Sequence, residues 1–543
     1  FSRSFYYFRV VSFLTLCRIL ICDLIDIIRR KLINMANYKP DLSCQSKFIP
    51  IDFSQQIIPG TFEYALAHIV DNHLDLSGFE HWYQNDKGGA AAYPPSVMLK
   101  IILFGYSRGF ISSRRIANAC ETNITFMSLS GDVQPHYTSI AAFVTRMKDQ
   151  IEPLFTQVLM ICDKEGLIGR HMFAIDGCKI KSNASKEYSG TFEELTRKEA
   201  KLRKASQRIL AKHQAQDGLS EDEINHDLKQ KAKLDNSATK ISDFLATHEE
   251  KRGSTGKPVK SNVTDNDSAK MTTSKGTIQG YNGIAINDDQ NQVILQAQAW
   301  GSVGEQQTLK PAIEQLNNQL SKLGTPNAFE TAKFTADSGF HSEANLEYMA
   351  TTGVDSYIAD TQFRSRNPLF KTSETYHTEQ EKRRLKRSKG RPRLFTQDDF
   401  NFDPTSNSCI CPAGKTLWRQ STSIISQGKS YVRFTGYLKD CRFCPLQKQC
   451  MRKLPKSTGR QVQFLTNRVQ NVSHSDRMKV KIDSPIGRRQ YSKRLGAIEP
   501  VFGNITVNKG MNKFTLRGQD KVNTQWKMYC LVHNIEKLRN NLH

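Results

Sequence analysis

The spacing of apolar residues predicts a series of short helices in the first third of the chain. Between Phe62 and Pro153, apolar positions recur every three or four residues, which is typical of amphipathic helices. One stretch carries a core stripe of Ile140, Phe143, Val144 and Met147. A Pro pair before one helix and Ser113 at the start of the next suit helix N-termini. This region is therefore expected to consist of short helices joined by loops.

Short apolar runs flanked by polar residues predict strands further along. The run from Met172 to Ile175 predicts a buried strand with Asp176 at its end. GTIQGYNGIAIN and QVILQAQAW predict a β-hairpin, and KFTADSGF predicts a strand that ends at Asp337. A helix precedes that last strand, and a helix and the strand VDSYIAD follow it. Together they predict a mixed α/β sheet in the order of an RNase H-like fold.

Residues 192–250 interrupt this sheet pattern. They are rich in Lys, Glu, Gln and Ala, with apolar residues at helical spacing on both sides of a turn signal at 217–220. The pattern predicts a helical hairpin inserted between two parts of the sheet. Such a hairpin binds a partner or serves as a solvated spacer, and the sequence does not decide between these two roles.

The first 34 residues are apolar, but they do not predict a membrane span. Arg9, Arg18, Asp23 and Asp26 interrupt every window of the required length, and there is no small-residue cleavage site of a signal peptide. The next Met is Met35, which begins an ordinary polar stretch. We expect translation to start there, with residues 1–34 as upstream sequence read in frame; a short amphipathic helix is the alternative.

Charge points to a polyanionic partner. The chain has 77 Lys and Arg against 53 Asp and Glu, a formal net charge of +24, and such an excess favours nucleic acid. Short helices that carry Arg114, Arg115 and Arg146 fit a helix-turn-helix-like DNA-binding module, and a plain helical cap is the alternative. With 12 Cys and no secretory signal, the thiols are expected to be reduced in a cytoplasm.

Asp176 and Asp337 are candidate metal ligands, because each follows a short apolar run. Carboxylates are the ligands that Mg²⁺ prefers, and two divalent cations can polarise a phosphate and activate the attacking oxygen. An ordinary turn or N-cap role is the alternative for each residue.

Three segments carry a resemblance to a known family. AIDGCKIKSNAS, FTADSGFHSEANLEYM and YSKRLGAIEPVFGNIT resemble, in this order, the motifs of bacterial insertion-sequence transposases with a DDE catalytic domain, closest to the insertion-sequence 1182 family. The similarity extends from about Ile49 to Leu538, with further matches at TDNDSAKM, GYNG and CPAGK. The chain is thereby expected to cleave the ends of a mobile element and to join them to target DNA.

The resemblance also implies roles for individual residues. It implies Asp176, Asp337 and Glu499 as ligands of two Mg²⁺ or Mn²⁺ ions, with Tyr491 and Arg494 as supporting phosphate contacts. The predicted helix around Glu499 begins with several basic residues that can grip phosphates; an exposed amphipathic helix is the alternative. Related transposases often carry a Lys six or seven residues beyond the Glu, whereas these positions are Thr506 and Val507 here and the nearest Lys is Lys509.

Five cysteines predict a second metal site. They are Cys409, Cys411, Cys441, Cys444 and Cys450, arranged as C-x-C and C-x2-C-x5-C. Two such groups about thirty residues apart can form a zinc ribbon, so we expect one structural zinc ion bound by four of the five thiolates. A packed subdomain with metal-free thiols is the alternative.

A dense basic run, EKRRLKRSKGRPRLF, precedes the cysteines. Its GRPR motif is similar to an AT-hook, whose Arg side chains lie in a narrow minor groove. Lys386, Arg391 and Arg393 are therefore candidate DNA contacts. A flexible linker that touches phosphates without sequence preference is the favoured alternative.

These predictions give a domain layout and a partner. We expect upstream sequence at 1–34, a helical DNA-binding domain at 35–165, the first part of an RNase H-like catalytic domain at 166–370 with a helical insertion at 190–250, a basic linker and Cys-rich module at 371–460, and the last part of the catalytic domain at 461–543. The expected partners are terminal inverted repeats and target DNA, which a homodimer binds in the bacterial cytoplasm. No membrane is expected as a partner. A catalytically decayed or recruited DNA-binding protein is one competing class, and a nuclease that does not join DNA is another.

Overall fold

A computed structural model describes residues 50–541 apart from 86–87, 89–90, 216–219, 254–255, 274–275, 302–303, 372–393, 427–428 and 466–472. Contacts divide the chain into one unit at 53–543 and another at 1–52, and of the latter only residues 50–52 are described, all exposed. The predicted upstream segment 1–34 lies outside the described residues. So do the basic run's candidates Lys386, Arg391 and Arg393.

The N-terminal region is helical, as its apolar spacing predicts. The helices are α1 (Phe62–Asn72), α2 (Pro95–Ser107), α3 (Ser113–Thr122), α4 (Ile124–Ser130), α5 (Tyr137–Arg146) and α6 (Ile151–Lys164). Ser112, not Ser113, is the N-cap of α3, since its hydroxyl accepts a hydrogen bond from the Arg115 amide. Gly105 lets α2 approach α3, because a Cβ there would lie 2.8 Å from Ile116. This close approach contributes to the burial of most of α2.

A mixed sheet follows, with the helical hairpin inside it. Its elements are β1 (Met172–Lys181), β2 (Ser189–Gly190), α7 (Phe192–Ala215), α8 (Glu221–Thr247), β3 (Ser261–Asn262), β4 (Ala269–Thr273), β5 (Gly276–Asp288), β6 (Ile294–Trp300), α9 (Glu305–Lys322), β7 (Lys333–Ala336), α10 (Glu343–Thr351), β8 (Asp355–Ile358), α11 (Phe363–Arg366) and α12 (Pro368–Lys371). In the six-stranded sheet β5 pairs antiparallel with β1, β4 and β6, and β7 is parallel to β1 and β8. Because β1 is ten residues long, Asp176 lies in its middle and not at its end, which corrects the prediction.

The predicted helical hairpin is present as α7 and α8, which pack against each other. Ser220 and Glu223 form a capping box at the start of α8. The buried contacts of the hairpin lie at its base, around Leu195, Ile241 and Phe244. Near the other end Leu210 and Leu228 are exposed, so the hairpin extends from the sheet as a largely solvated arm.

The cysteine-rich region has a sheet and a core of its own. Its elements are β9 (Asn401–Asp403), β10 (Ser408–Ile410), β11 (Thr416–Ser426), β12 (Lys429–Thr435), α13 (Leu438–Arg442), α14 (Gln447–Cys450) and β13 (Gln461–Leu465). The five strands are ordered β13-β12-β11-β10-β9, and neighbours pair antiparallel. The core is small and consists of Phe400, Cys409, Leu417, Val432, Phe434, Val462 and Phe464.

Three C-terminal helices complete the main body: α15 (His474–Asp483), α16 (Pro485–Gly503) and α17 (Gln519–Leu538). The last of them is buried along most of its length and contacts α1, α2, α6 and β6. Trp526 donates to the Ile284 carbonyl in β5, and Tyr529 stacks on Tyr106 of α2. The N-terminal helices and the sheet therefore share one continuous core through α17. Across the described ranges, no helix has the length and apolar character needed to cross a membrane.

Candidate active site

Two aspartates lie side by side where β1 and β7 run parallel. Ile175 pairs with Ala336, so the next residues, Asp176 and Asp337, fall at the same level of the sheet. Asp176 accepts a hydrogen bond from the Gly177 amide at 2.8 Å. Asp337 stands at the start of a 3-10 turn, but its side chain makes no capping hydrogen bond. The ordinary capping role therefore does not account for Asp337.

Arg494 of α16 reaches both carboxylates. Its Nη1 lies 2.8 Å from Asp176 Oδ2, and its Nη2 lies 3.8 Å from Asp337 Oδ1. The helix is placed by apolar contacts, because Ala497 and Ile498 pack on Met172 and Ala174 of β1. These two β1 residues share a face with Asp176, since side chains alternate along a strand. Packing on that face therefore brings the guanidinium to the aspartates.

Burial and neighbouring charges shift the pKa values of these side chains. Desolvation raises the pKa of Asp176, and the neighbouring Arg494 opposes that rise only in part. Desolvation lowers the pKa of Arg494, but Asp176, Tyr491 and Asp337 outweigh it, so the net pKa is raised. Burial also raises the pKa of Tyr491, whose ring lies beside the guanidinium. Arg494 is therefore held protonated, while the pKa of Asp176 stays above its ordinary value.

Glu499 lies on a different side of α16. Arg494, Ala497, Ile498 and Val501 are buried, whereas Glu499 is exposed. It lies five positions beyond Arg494, which is a rotation of about 140° around a helix with 3.6 residues per turn. The structure thus brings together Asp176, Asp337, Tyr491 and Arg494, and it leaves Glu499 on the solvent side. Within the described residues, no group of three or more His, Cys, Asp or Glu side chains has the spacing of a metal site.

A third carboxylate near the pair was missed by the sequence reasoning. Glu305 is the first residue of α9, and its Oε1 accepts a hydrogen bond from the side-chain Nδ2 of Asn282 at 3.2 Å and lies 3.9 Å from the Lys179 ammonium. It stands over the turn that follows Asp337, because a Cβ at Gly339 would overlap Glu305 Oε2. An acidic residue in the first turn of a helix is common because of the helix dipole. Nothing local therefore distinguished Glu305 from an ordinary surface residue.

Lys509, the nearest Lys beyond Glu499, forms an ion pair with Glu536 of α17. It is 2% exposed, and its ammonium lies 2.5 Å from Glu536 Oε2 and 3.2 Å from Asn504 Oδ1. The lysine therefore secures the end of α16 to α17, and its charge is neutralised there.

The N-terminal arginines are exposed and supported by aromatic rings. Arg114 stacks over Tyr137, Arg115 over Phe110 and Arg146 over Trp82, with guanidinium-to-ring distances of 4.4–4.7 Å. Such contacts hold the side chains in place while their charged edges stay accessible. These residues lie on helices that share a core with the sheet.

The structure divides the five clustered cysteines into two groups. Cys409 is fully buried in the apolar core of the cysteine-rich sheet. The other four line one cavity of about 40 Å³: Cys411, Cys441, Cys444 and Cys450.

Two family models match parts of the chain. No curated protein and no solved structure matches the chain. Residues 410–539 match the family model for a transposase DDE domain, a range that contains Tyr491, Arg494 and Glu499. Residues 51–146, with most of the N-terminal helices, match the model for a transposase domain (DUF772). A DDE domain implies an RNase H-like fold, and the mixed sheet is consistent with it. Together, the two matches support an insertion-sequence transposase.

Proposed function

We propose that the chain is a DDE transposase of the insertion-sequence 1182 type, which cleaves DNA at the ends of its element and joins the 3′-OH to target DNA. The observation that carries this proposal is the pair Asp176 and Asp337, level on adjacent parallel strands and bridged by Arg494. The pair keeps partial exposure, 26% and 43% of the two side chains. A phosphodiester can therefore approach both carboxylates.

The residues fit the Mg²⁺ or Mn²⁺ that this chemistry uses. Carboxylate oxygens are hard ligands, and a positive guanidinium already stands between them as a cation would. Arg494 Nε is buried without a hydrogen-bond partner among the described residues. The side chain can therefore form an additional hydrogen bond by turning toward a phosphate. Divalent cations, when bound, polarise the phosphate and stabilise the attacking and leaving oxygens. Arg494 and Tyr491 would then orient the DNA backbone.

The third carboxylate has two candidates. Glu499 is proposed from the family resemblance, and the helix becomes irregular just beyond it. Pro500 lies within α16, and residues Asn504–Asn508 form a π-helical turn. Both features weaken regular helix hydrogen bonding, and π turns are frequent at functional sites. A change in winding there would let Glu499 turn toward the aspartates. Glu305 is proposed from its position beside the Asp337 turn.

DNA is the proposed partner, bound as a homodimer that holds two transposon ends in a bacterial cytoplasm. We assign recognition of the terminal inverted repeats to the N-terminal helices with Arg114, Arg115 and Arg146. The catalytic carboxylates must accept unrelated target DNA, so sequence readout belongs in another region. Lys386, Arg391 and Arg393 would add contacts to phosphates or to the minor groove. The proposed cofactors also include a structural zinc ion in the cysteine-rich region.

The direct test is cleavage and joining of DNA that carries the element's own ends. Purified full-length chain with Mg²⁺ or Mn²⁺ should nick labelled end DNA and transfer it to a plasmid. Replacing either aspartate with Asn should remove both activities and keep DNA binding. A wild-type chain that binds the ends but never cuts them would instead indicate a decayed or recruited DNA-binding protein. Cutting without joining would indicate a nuclease.

A further inference from the structure

The segment between β12 and β13 is folded without an apolar core of its own. It contains α13 and α14, which are only five and four residues long and bury no residue. Its apolar residues Phe443 and Leu454 are 84% and 64% exposed. Ordering a backbone costs about 1–2 kcal/mol per residue in entropy. Pro455 is buried and Cys450 packs against the core of the sheet, so only a few apolar contacts hold this segment in place.

Four thiols lie where the segment meets the sheet. Cys411 belongs to the turn between β10 and β11, Cys441 lies in α13, Cys444 follows it, and Cys450 ends α14. All four line the same small cavity. Thiols from separate parts of the chain thus line one small cavity, an arrangement that a metal ion can cross-link.

The backbone around two of these sulfur atoms is arranged to receive them. Cys411 Sγ accepts a hydrogen bond from the Lys415 amide at 3.4 Å, and Cys441 Sγ accepts one from the Arg460 amide at 3.5 Å. A Cβ at Gly436 or at Gly459 would lie only 2.7 Å from Cys441 Sγ. The two glycines therefore leave room for the sulfur. Hydrogen bonds of this kind hold a ligand side chain in a fixed orientation.

Cys409 differs from these four. It lies in β10 with its side chain in the apolar core. Residues two positions apart share a face only while a strand continues, and β10 ends at Ile410. Cys411 belongs to the turn that follows, where its sulfur accepts the Lys415 amide. The C-x-C pair therefore does not act as a pair of ligands, and the four thiols at the cavity stand together without Cys409.

We propose that Cys411, Cys441, Cys444 and Cys450 bind one structural zinc ion that fastens residues 437–460 to the β9–β13 sheet. Zinc with four thiolates is tetrahedral, with Zn–S distances of about 2.3 Å. Among the described residues no three such side chains are already placed to hold a metal ion, so zinc binding has to bring the four sulfur atoms closer together. The ion adds to the few apolar contacts of this segment, as metal ions do in other small modules. This site is independent of the catalytic proposal.

The test uses full-length protein purified without chelator. Metal analysis should find close to one zinc per chain in the wild type. Cys411→Ser, Cys441→Ser, Cys444→Ser and Cys450→Ser should each lose most of it. The matched control is Cys409→Ala, which removes the fifth thiol and should keep the zinc. The assignment would be overturned if folded wild-type protein contained no zinc, or if the four Ser variants retained it. Loss of zinc in the Cys409→Ala control alone would also overturn it.

A second measurement covers variants that fail to fold. Titrating wild-type protein with a mercurial reagent, with a coloured chelator present, should release zinc as four thiols react. Cobalt substitution should give the sulfur-to-metal charge-transfer band of a tetrahedral thiolate site. Release that requires only one or two thiols, or a cobalt spectrum without thiolate bands, would contradict the four-sulfur ligand set. End cleavage, measured separately, reports on the catalytic proposal and not on this one.

Discussion

Replacing Arg494 with Met tests whether its guanidinium stands where a divalent cation would bind. Arg494 is 7% exposed and contacts both aspartates. Removing one partner of a fully buried ion pair costs about 3–5 kcal/mol. Because the aspartates keep 26% and 43% exposure, water screens part of their charge. In EDTA we therefore expect the free energy of unfolding to fall by about 2 kcal/mol.

A divalent cation should reverse this destabilisation. Two unit charges about 5 Å apart repel by about 3 kcal/mol at an effective dielectric constant of 20. In the wild type, Arg494 has to move aside before a cation can reduce that repulsion, whereas the Met variant leaves the carboxylates free. We expect the variant to bind Mn²⁺ at least about tenfold more tightly, which corresponds to about 1.4 kcal/mol. Cleavage should nevertheless fall, because Met cannot donate hydrogen bonds to a phosphate.

Urea unfolding with and without Mg²⁺ measures the first effect, and Mn²⁺ titration followed by electron paramagnetic resonance measures the second. Lys493→Met is the matched control, because Lys493 is the exposed neighbour of Arg494 on the same helix. It should change neither stability nor Mn²⁺ affinity. The competition between guanidinium and metal is refuted if Arg494→Met is as stable as wild type in EDTA. It is also refuted if both bind Mn²⁺ equally tightly.

Three further predictions concern the carboxylates and the DNA. Changing either aspartate of the pair to Asn should reduce end cleavage to the metal-free level, while binding persists and weakens steeply with salt; a cleaving variant would remove that residue from the site. Glu499→Gln and Glu305→Gln, compared in the same cleavage assay and by Mn²⁺ affinity, should identify the third carboxylate, since only a ligand lowers both; unchanged values in both variants would exclude both candidates. The double variant Arg114→Ala with Arg115→Ala should reduce the preference for end DNA over scrambled DNA. The expected loss is about 1–3 kcal/mol for each arginine that reads a base edge. The full-length chain is used because these helices share its core. Equally weaker binding to both DNAs would instead show phosphate contact, and an unchanged preference would place recognition elsewhere.

Most of the helices and strands follow from local patterns in the chain. Apolar spacing of three to four residues predicts the N-terminal helices, and short apolar runs predict the strands at Asp176 and before Asp337. These signals are local, since a period reports which face of one element is buried. Local signals place boundaries less well. The strand at Asp176 continues to Lys181, because its second half pairs with β5.

Which side chains meet depends instead on packing between distant elements. The aspartates are 161 positions apart in the chain, and parallel pairing of β1 with β7 makes them neighbours. Packing of α16 on β1 turns Arg494 inward and Glu499 outward, and α9 places Glu305 beside the Asp337 turn. The end of β10 leaves Cys409 in the core of its sheet and Cys411 at the cavity. The residues next to each of these positions in the chain do not predict these contacts, because each contact forms only when separate elements pack together.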